Sequence, residues 1–138
     1  AASMNAGRWY PTVITLGDGR VLTLSGKDEN GLIDTYPEIY SAATGWNFFT
    51  QPTSRLPMYS HLFLLSSGKI FYSGAQFGGN NQLTPRILTI PAYYKHAITE
   101  TPVAGLQIPG FGNQAASVLL PPAQDQKVMI MGGRNGPG

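Results

Sequence analysis

At 138 residues the chain is long enough to bury the core of one ordinary domain. Its formal net charge of +2 comes from scattered side chains and only 12% of residues are charged, which argues against a nucleic-acid surface built from clustered Lys and Arg. It has no cysteine, so it can form neither a disulfide framework nor a thiolate metal site, and no apolar run approaches the ~20 residues of a membrane span.

The first predicted element is a β-hairpin within residues 8–26. Apolar and β-branched residues over Thr12–Leu16 and Arg20–Leu24 flank the dipeptide Asp18-Gly19. Such runs around Asp-Gly are the strongest short-range hairpin signal, because both residues tolerate the positive φ values of a tight turn. We therefore expect two antiparallel strands joined by a two-residue turn.

The next segment, residues 36–50, predicts two further strands. Glu38-Ile39-Tyr40 precedes a short polar turn, and Trp46 follows six residues after Tyr40. Asn47–Thr50 continues the outermost strand. Large aromatic side chains at such positions bury much surface, so we expect Tyr40 and Trp46 to fill space beside a neighbouring sheet.

A second set of strands follows between residues 56 and 103. Ser60–Leu65 and Lys69–Tyr72 flank the turn Ser66-Ser67-Gly68, and Arg86–Ile90 predicts a third strand. A fourth is expected somewhere in residues 97–103. These runs are apolar at consecutive positions rather than alternate ones, which is typical of strands that are packed on both faces.

A third hairpin is predicted near the end of the sequence. Ala115–Leu120 and Lys127–Gly133 are the two strands, and they flank a longer turn over Pro121–Gln126. This hairpin shares its basic residue, apolar strand and small closing residues with the two before it. The composition, with 17 glycines and 11 prolines, also suits many short strands joined by turns.

The three hairpins form an internal repeat. Tyr10, Gly19 and Arg20 match Tyr59, Gly68 and Lys69, each 49 residues later. A period near ~50 residues predicts an all-β fold of kelch-type propeller blades. The expected units are a blade over residues 8–50, a blade over 56–103 and a half blade over 110–138.

About two and a half four-stranded blades cannot close a ring, because propellers contain about four to eight. We therefore expect apolar faces at both ends of this set of blades. Such faces would be covered by the remaining blades of a larger propeller or by copies of the chain itself.

Two segments of the first hairpin carry a family resemblance. Arg8-Trp9-Tyr10-Pro11-Thr12, followed by Asp18-Gly19-Arg20-Val21-Leu22, resembles the galactose oxidase and glyoxal oxidase family. The resemblance implies a seven-bladed kelch propeller of a secreted copper-radical oxidase that acts on alcohols or aldehydes. It implies copper in an intact parent protein and none in this segment alone, which we expect to be inactive.

The resemblance also suggests two site residues. Tyr10 falls on the family's radical tyrosine, which binds copper and is linked to a cysteine, and Arg55 matches a substrate-contacting arginine. The family's cysteine has no counterpart here, and Lys27–Asn30 lacks the aromatic residue expected to stack on the cross-link. The copper site that the resemblance implies would combine phenolate and imidazole ligands, which suit Cu(II).

Other interpretations stay open. Tyr10 is also the repeat equivalent of Tyr59, which favours a structural role at the edge of a blade. His61 lies within an apolar strand and is expected to be a core histidine, and His96 to lie in a loop. The alternative function is a non-catalytic kelch propeller that binds protein or carbohydrate, or that builds an extracellular assembly.

Overall fold

A computed structural model describes residues 3–77, 83–104 and 114–133, except the side chains of Gln76 and Phe77. Within these ranges the chain forms three antiparallel sheets and one short 3₁₀ helix. Sheet one is ordered β1-β2-β3-β4, sheet two β5-β6-β7-β8, and sheet three pairs β9 with β10. The strands are β1 (Thr12–Thr15), β2 (Val21–Leu24), β3 (Glu38–Ser41), β4 (Gly45–Phe48), β5 (Met58–Leu64), β6 (Ile70–Phe77), β7 (Arg86–Thr89), β8 (Thr99–Pro102), β9 (Ala115–Leu119) and β10 (Val128–Gly132).

The predicted all-β fold class is confirmed. Each four-stranded sheet is a simple meander, since every strand pairs with the next one in sequence. The fourth strand expected within residues 97–103 is β8. Parts of the unit predicted over 110–138 lie outside the described residues. No helix in the described ranges is long and apolar enough to cross a membrane.

The first hairpin turn differs from the two-residue turn that we expected. Leu16 and Arg20 still pair, with the Leu16 amide donating to the Arg20 carbonyl over 2.8 Å, so the loop has three residues. The Gly19 amide donates to the Leu16 carbonyl, and only Gly19 takes a positive φ, of 84°. This is a turn closed by a left-handed residue, which preserves the twist of the strands. The prediction from Asp18-Gly19 was right about the hairpin and wrong about the loop length.

The repeat is also visible in the backbone conformation. Left-handed residues recur just before or at the start of the first strand of each sheet, where a non-glycine residue is uncommon. These are Tyr10, Tyr59 and Gln114, with φ values of 57°, 54° and 55°. Positive φ values also recur four residues after the start of the second strand of each sheet, at Ser25, Gly74 and Gly132. Three sequence segments of different composition therefore adopt the same local geometry.

The core lies between sheets one and two. Leu22 and Leu24 of β2 meet Ile70 and Tyr72 of β6 and Leu88 of β7 in one buried cluster. The four aliphatic members of this group are fully buried, and so, within 1%, is Tyr72. Each such side chain contributes roughly 1.5–3 kcal/mol by leaving water. Burial also raises the pKa of Tyr72, so its phenol stays neutral.

The three sheets have the same orientation, so equivalent faces of the sheets point in the same direction. The cross-strand pairs Ile14–Leu22, Phe63–Phe71 and Val118–Met129 occupy equivalent positions in sheets one, two and three. In sheet one this face packs on sheet two. In sheet three the equivalent pair is exposed, with 40% of each residue accessible. The same position in the repeat is therefore core in one sheet and surface in another.

This contrast gives a stability prediction. Leu22→Ala is expected to lower the free energy of unfolding by about 2–5 kcal/mol, because it opens a cavity in the core. Met129→Ala, at the equivalent position of sheet three, is expected to cost less than about 1 kcal/mol. Urea unfolding of dilute protein measures both. Equal losses would contradict the assignment of Met129 to the surface.

Candidate functional site

Arg8 of the Arg-Trp-Tyr-Pro-Thr motif is a structural residue. Its guanidinium is fully buried and forms ion pairs with Asp34 at 3.0 Å and Glu38 at 3.2 Å. It also donates to the Ser25 and Tyr36 carbonyls. Glu38, equally buried, accepts hydrogen bonds from the Asn5 and Ala6 amides. A buried ion pair needs this many partners to offset its desolvation, and the pair fixes the segment before β1 against β3.

Pro11 and Thr12 also hold the first hairpin in place. Gly26, at φ 87°, approaches the motif so closely that an added Cβ would lie 3.1 Å from Arg8 Cβ and 3.2 Å from Pro11 Cα. Only glycine fits there, both for its φ and for the space. The Thr12 hydroxyl donates to the Ser60 carbonyl over 3.0 Å and so joins sheet one to sheet two.

Like Trp9, which is 57% accessible, and unlike Arg8 and Thr12, Tyr10 has an exposed side chain. It is 43% accessible, and its ring stacks on Trp9 with centroids 4.3 Å apart and planes 29° apart. The ring of Tyr59, in the next sheet, also contacts the ring of Tyr10. Their centroids are 4.8 Å apart and their planes lie at 31°. We call Trp9, Tyr10 and Tyr59 the aromatic column. Stacking of this kind contributes about 0.5–1.5 kcal/mol per pair, which helps to offset the left-handed backbone at both tyrosines.

Two electrostatic features accompany the column. Desolvation raises the pKa of Tyr59, and a hydrogen bond with Tyr10 and the charge of a Tyr10 phenolate raise it further. Tyr59 is therefore a neutral phenol at physiological pH. The Lys27 ammonium lies 5.9 Å from the centre of the Trp9 ring, within the range of a cation–π interaction. A neutral phenol and a cation thus accompany the exposed Tyr10 side chain.

A groove of about 660 Å³ lies beside the loop between β2 and β3. Its lining combines carboxylates, apolar side chains and one guanidinium. The residues are Ala6, Asp28, Glu29, Leu32, Ile33, Asp34, Thr35, Tyr36, Phe48 and Arg55. Three of the apolar side chains, Leu32, Tyr36 and Phe48, are exposed. The groove therefore offers apolar surface next to hydrogen-bonding groups, as small-molecule sites do.

The column and the groove are linked through the backbone of Lys27. Lys27 pairs with Trp9 on one side and with Ile33, which lines the groove, on the other. Two strand spacings separate the Trp9 and Ile33 backbones by about 10 Å. Of the two residues that the sequence suggested, Arg55 lines the groove and Tyr10 stands in the column. Tyr10 is not among the described residues that line the groove.

The described residues alone do not supply enough donor groups for a copper site. Within residues 3–77, 83–104 and 114–133 there is no group of three or more His, Asp or Glu side chains that could hold a metal ion. The column supplies two phenol oxygens, which suit Cu(II) in kind. A copper ion would need further donors beyond these.

His61 lies in the contact between sheets two and three. Its Nδ1 is 3.3 Å from the Ser117 hydroxyl, which accepts a hydrogen bond from Ser73 over 2.8 Å. Desolvation lowers the pKa of His61, so the neutral ring is favoured. The sequence predicted a core histidine, whereas His61 is half-buried and lies outside the core cluster, with a serine as its hydrogen-bond partner. His96 is exposed in a turn, as expected.

Comparison with known proteins does not assign a family. No protein-family model matches the sequence, and a search of curated proteins returns no significant match. The site is therefore interpreted from its own residues.

The sequence alone did not identify the partners of Tyr10. The aromatic residue expected within Lys27–Asn30 is absent there, whereas Trp9 and Tyr59 supply rings from other directions. One signal could have located Tyr59. If Tyr10 and Tyr59 begin the first strands of successive sheets in one repeat, then sheets packed face to face bring the two tyrosines together.

The lowered pKa of His61 makes stability depend on pH. The unfolded histidine has a pKa of about 6.5, so below this pH the unfolded state binds more protons than the folded state. Stability is therefore expected to fall as the pH drops from about 6.5 toward the lower pKa of the folded state.

His61→Gln is expected to remove this contribution, and His96→Gln serves as the control. Urea unfolding at about pH 7.5 and about pH 5 compares both variants with the parent chain. His96→Gln should keep the pH dependence of the parent. A His61→Gln variant that keeps it too would contradict the assignment.

Proposed function

We propose that the chain belongs to a kelch-type β-propeller of a secreted, galactose oxidase-like copper-radical oxidase, in which Tyr10 is the radical tyrosine and a copper ligand. Such an enzyme oxidises an alcohol or aldehyde with O₂. The observation that carries the proposal is the exposed Tyr10 phenol, held in a left-handed conformation with Trp9 stacked on one side and Tyr59 beside it. Strained residues of this kind are enriched at functional sites.

Three features support the propeller part of the proposal. Each four-stranded sheet is a meander, and the first strands of successive sheets are neighbours, β1 beside β5 and β5 beside β9. The sheets present equivalent faces in the same direction. Strands that are apolar on both faces need a neighbouring sheet on each side, as in a ring of blades.

The aromatic column supports the redox part. The family resemblance implies a ring stacked on the radical tyrosine, and Trp9 and Tyr59 are rings that contact Tyr10 in this chain. The faces of stacked rings carry negative electrostatic potential, so they would favour loss of an electron from a Tyr10 phenolate, which leaves a neutral radical. The raised pKa of Tyr59 keeps the neighbouring phenol neutral, so no second negative charge competes at Tyr10.

The same proposal implies that this chain is inactive by itself. Its described residues offer copper only phenol oxygens at this site, and the remaining donors would come from elsewhere in the propeller. The role assigned to the chain is therefore to position one redox-active phenol and the rings beside it. Arg55, in the groove, would contact a small alcohol or aldehyde substrate.

The test is a pair of substitutions in a protein that carries the complete ring. Tyr10→Phe should abolish alcohol oxidation and the visible absorption of the radical, because the phenol oxygen is lost. Tyr93→Phe, the same change at a tyrosine of similar exposure outside the column, should retain both. Turnover assays and absorption spectra after copper loading measure these outcomes. Full activity of Tyr10→Phe would refute the oxidase proposal.

A second function is favoured by the groove. We propose as the alternative that the propeller is non-catalytic and binds carbohydrate there. Tyr36 and Phe48 offer exposed rings for stacking on a sugar, and Asp28, Glu29 and Arg55 offer hydrogen-bonding groups around them. Apolar surface with a few convergent polar groups is typical of sites for small ligands.

Two tyrosines of equal exposure test the alternative. Tyr36, in the groove, is 45% accessible, and Tyr93, outside its described lining, is 46% accessible. Loss of one stacking ring costs about 1 kcal/mol, so Tyr36→Ala should weaken binding of methyl galactoside roughly fivefold. Tyr93→Ala should leave binding unchanged. Calorimetric titration measures the affinities, and equal affinity of both variants would exclude the groove as the site.

A further inference from the structure

We propose that Tyr10 and Tyr59 form a dityrosine cross-linking site, at which one-electron oxidation joins the two rings and so links sheet one covalently to sheet two. The oxidant is hydrogen peroxide acting through an enzyme of the haem peroxidase class. The inference concerns the chain without copper bound. It rests on the contact between the two rings and not on the oxidase proposal, so the two can fail separately.

The two rings are already in contact. Their centroids are 4.8 Å apart and their planes are tilted by 31°. Desolvation raises the pKa of Tyr59, and the hydrogen bond that joins it to Tyr10 raises this pKa further. Phenols couple through the ring carbons next to the oxygen, and two groups held side by side combine as a unimolecular step. The geometry therefore favours coupling within the pair.

The fold holds the pair in place from both sheets. Tyr10 and Tyr59 occupy equivalent positions in the repeat, with φ values of 57° and 54°. The Thr12 hydroxyl donates to the carbonyl of Ser60, the residue after Tyr59, over 3.0 Å. The strands β1 and β5, which follow or contain the two tyrosines, also lie side by side. The contact between the rings is therefore a product of the packing of sheet one on sheet two.

The pair is also open to oxidation. The sequence has no cysteine, so no thiol of the chain competes for a one-electron oxidant. Tyr10 is 43% accessible and Tyr59 is half-buried. An oxidant can therefore reach the first phenol while the second lies directly beside it.

The reaction balances with two electrons. Hydrogen peroxide oxidises the peroxidase, which takes one electron from each phenol while each phenol releases its proton. The two radicals couple through one ortho carbon of each ring, and the hydrogens on those carbons move to the oxygens and restore both phenols. Overall the two tyrosines lose two hydrogen atoms, and one molecule of hydrogen peroxide becomes two molecules of water.

The test treats the 138-residue chain, without copper, with a haem peroxidase and hydrogen peroxide. Trypsin releases Tyr10 in the peptide 9–20 and Tyr59 in the peptide 56–69, and neither peptide contains another tyrosine. Mass spectrometry of the monomeric fraction should find these two peptides joined, with the loss of two hydrogen atoms. The linked protein should also unfold at a higher urea concentration, because the bond closes a loop of about 50 residues in the unfolded chain.

Tyr10→Phe and Tyr59→Phe should each remove the linked peptide, because phenylalanine has no phenol to oxidise. Tyr93→Phe is the matched control. The rings of Tyr93 and Tyr94 are also 4.9 Å apart, but both lie in the tryptic peptide 87–95, so their coupling stays within one peptide. Tyr93→Phe should therefore keep the link between Tyr10 and Tyr59. Far-UV circular dichroism shows that the variants are folded.

Three results would overturn the proposal. The peptides 9–20 and 56–69 could remain unlinked at the end of the reaction, whether or not other tyrosines have reacted. The linked peptides could occur only in covalent dimers, which would place the coupling between molecules. The link could persist in folded Tyr59→Phe, which would show that another residue of the peptide 56–69 forms it.

Discussion

Burial of the apolar face between sheets one and two is the constraint on which the rest of the structure depends. The second strands of both sheets carry adjacent apolar residues, Val21-Leu22 in β2 and Ile70-Phe71 in β6, so each sheet has two faces to remove from water and no sheet can satisfy this by itself. Leu22 and Leu24 find their cover in Ile70, Tyr72 and Leu88. In sheet three, one face packs against sheet two and the other face is exposed among the described residues.

The Arg8–Thr12 motif depends on that packing. Its charged member is buried in an ion-pair network with Asp34 and Glu38, and Thr12 ties sheet one to sheet two through the Ser60 carbonyl. Most of a motif that resembles an oxidase signature therefore serves to anchor the first hairpin. Trp9 and Tyr10 are the exposed members of the motif, and Tyr59 lies beside Tyr10 only because the two sheets are packed together.

The groove and the aromatic column point to different chemistry. The column offers phenols and stacked rings, which suit one-electron oxidation. The groove offers carboxylates and exposed aromatic rings, which suit recognition of a polar organic ligand. The backbone of Lys27 lies between Trp9 of the column and Ile33 of the groove, and these two backbones are about 10 Å apart. In the oxidase proposal the two would cooperate as redox centre and substrate surface, and in the binding proposal the groove acts alone.

The sequence by itself determined the all-β class, the hairpins and their repeat, because period, turn residues and β-branched runs are local properties. It misjudged the first loop, since Asp18-Gly19 suits a two- or a three-residue turn and only the strand register decides between them. It could not place Arg55 in the groove or Tyr59 on Tyr10. These contacts join residues far apart in sequence, and only the packing of one sheet against the next brings them together.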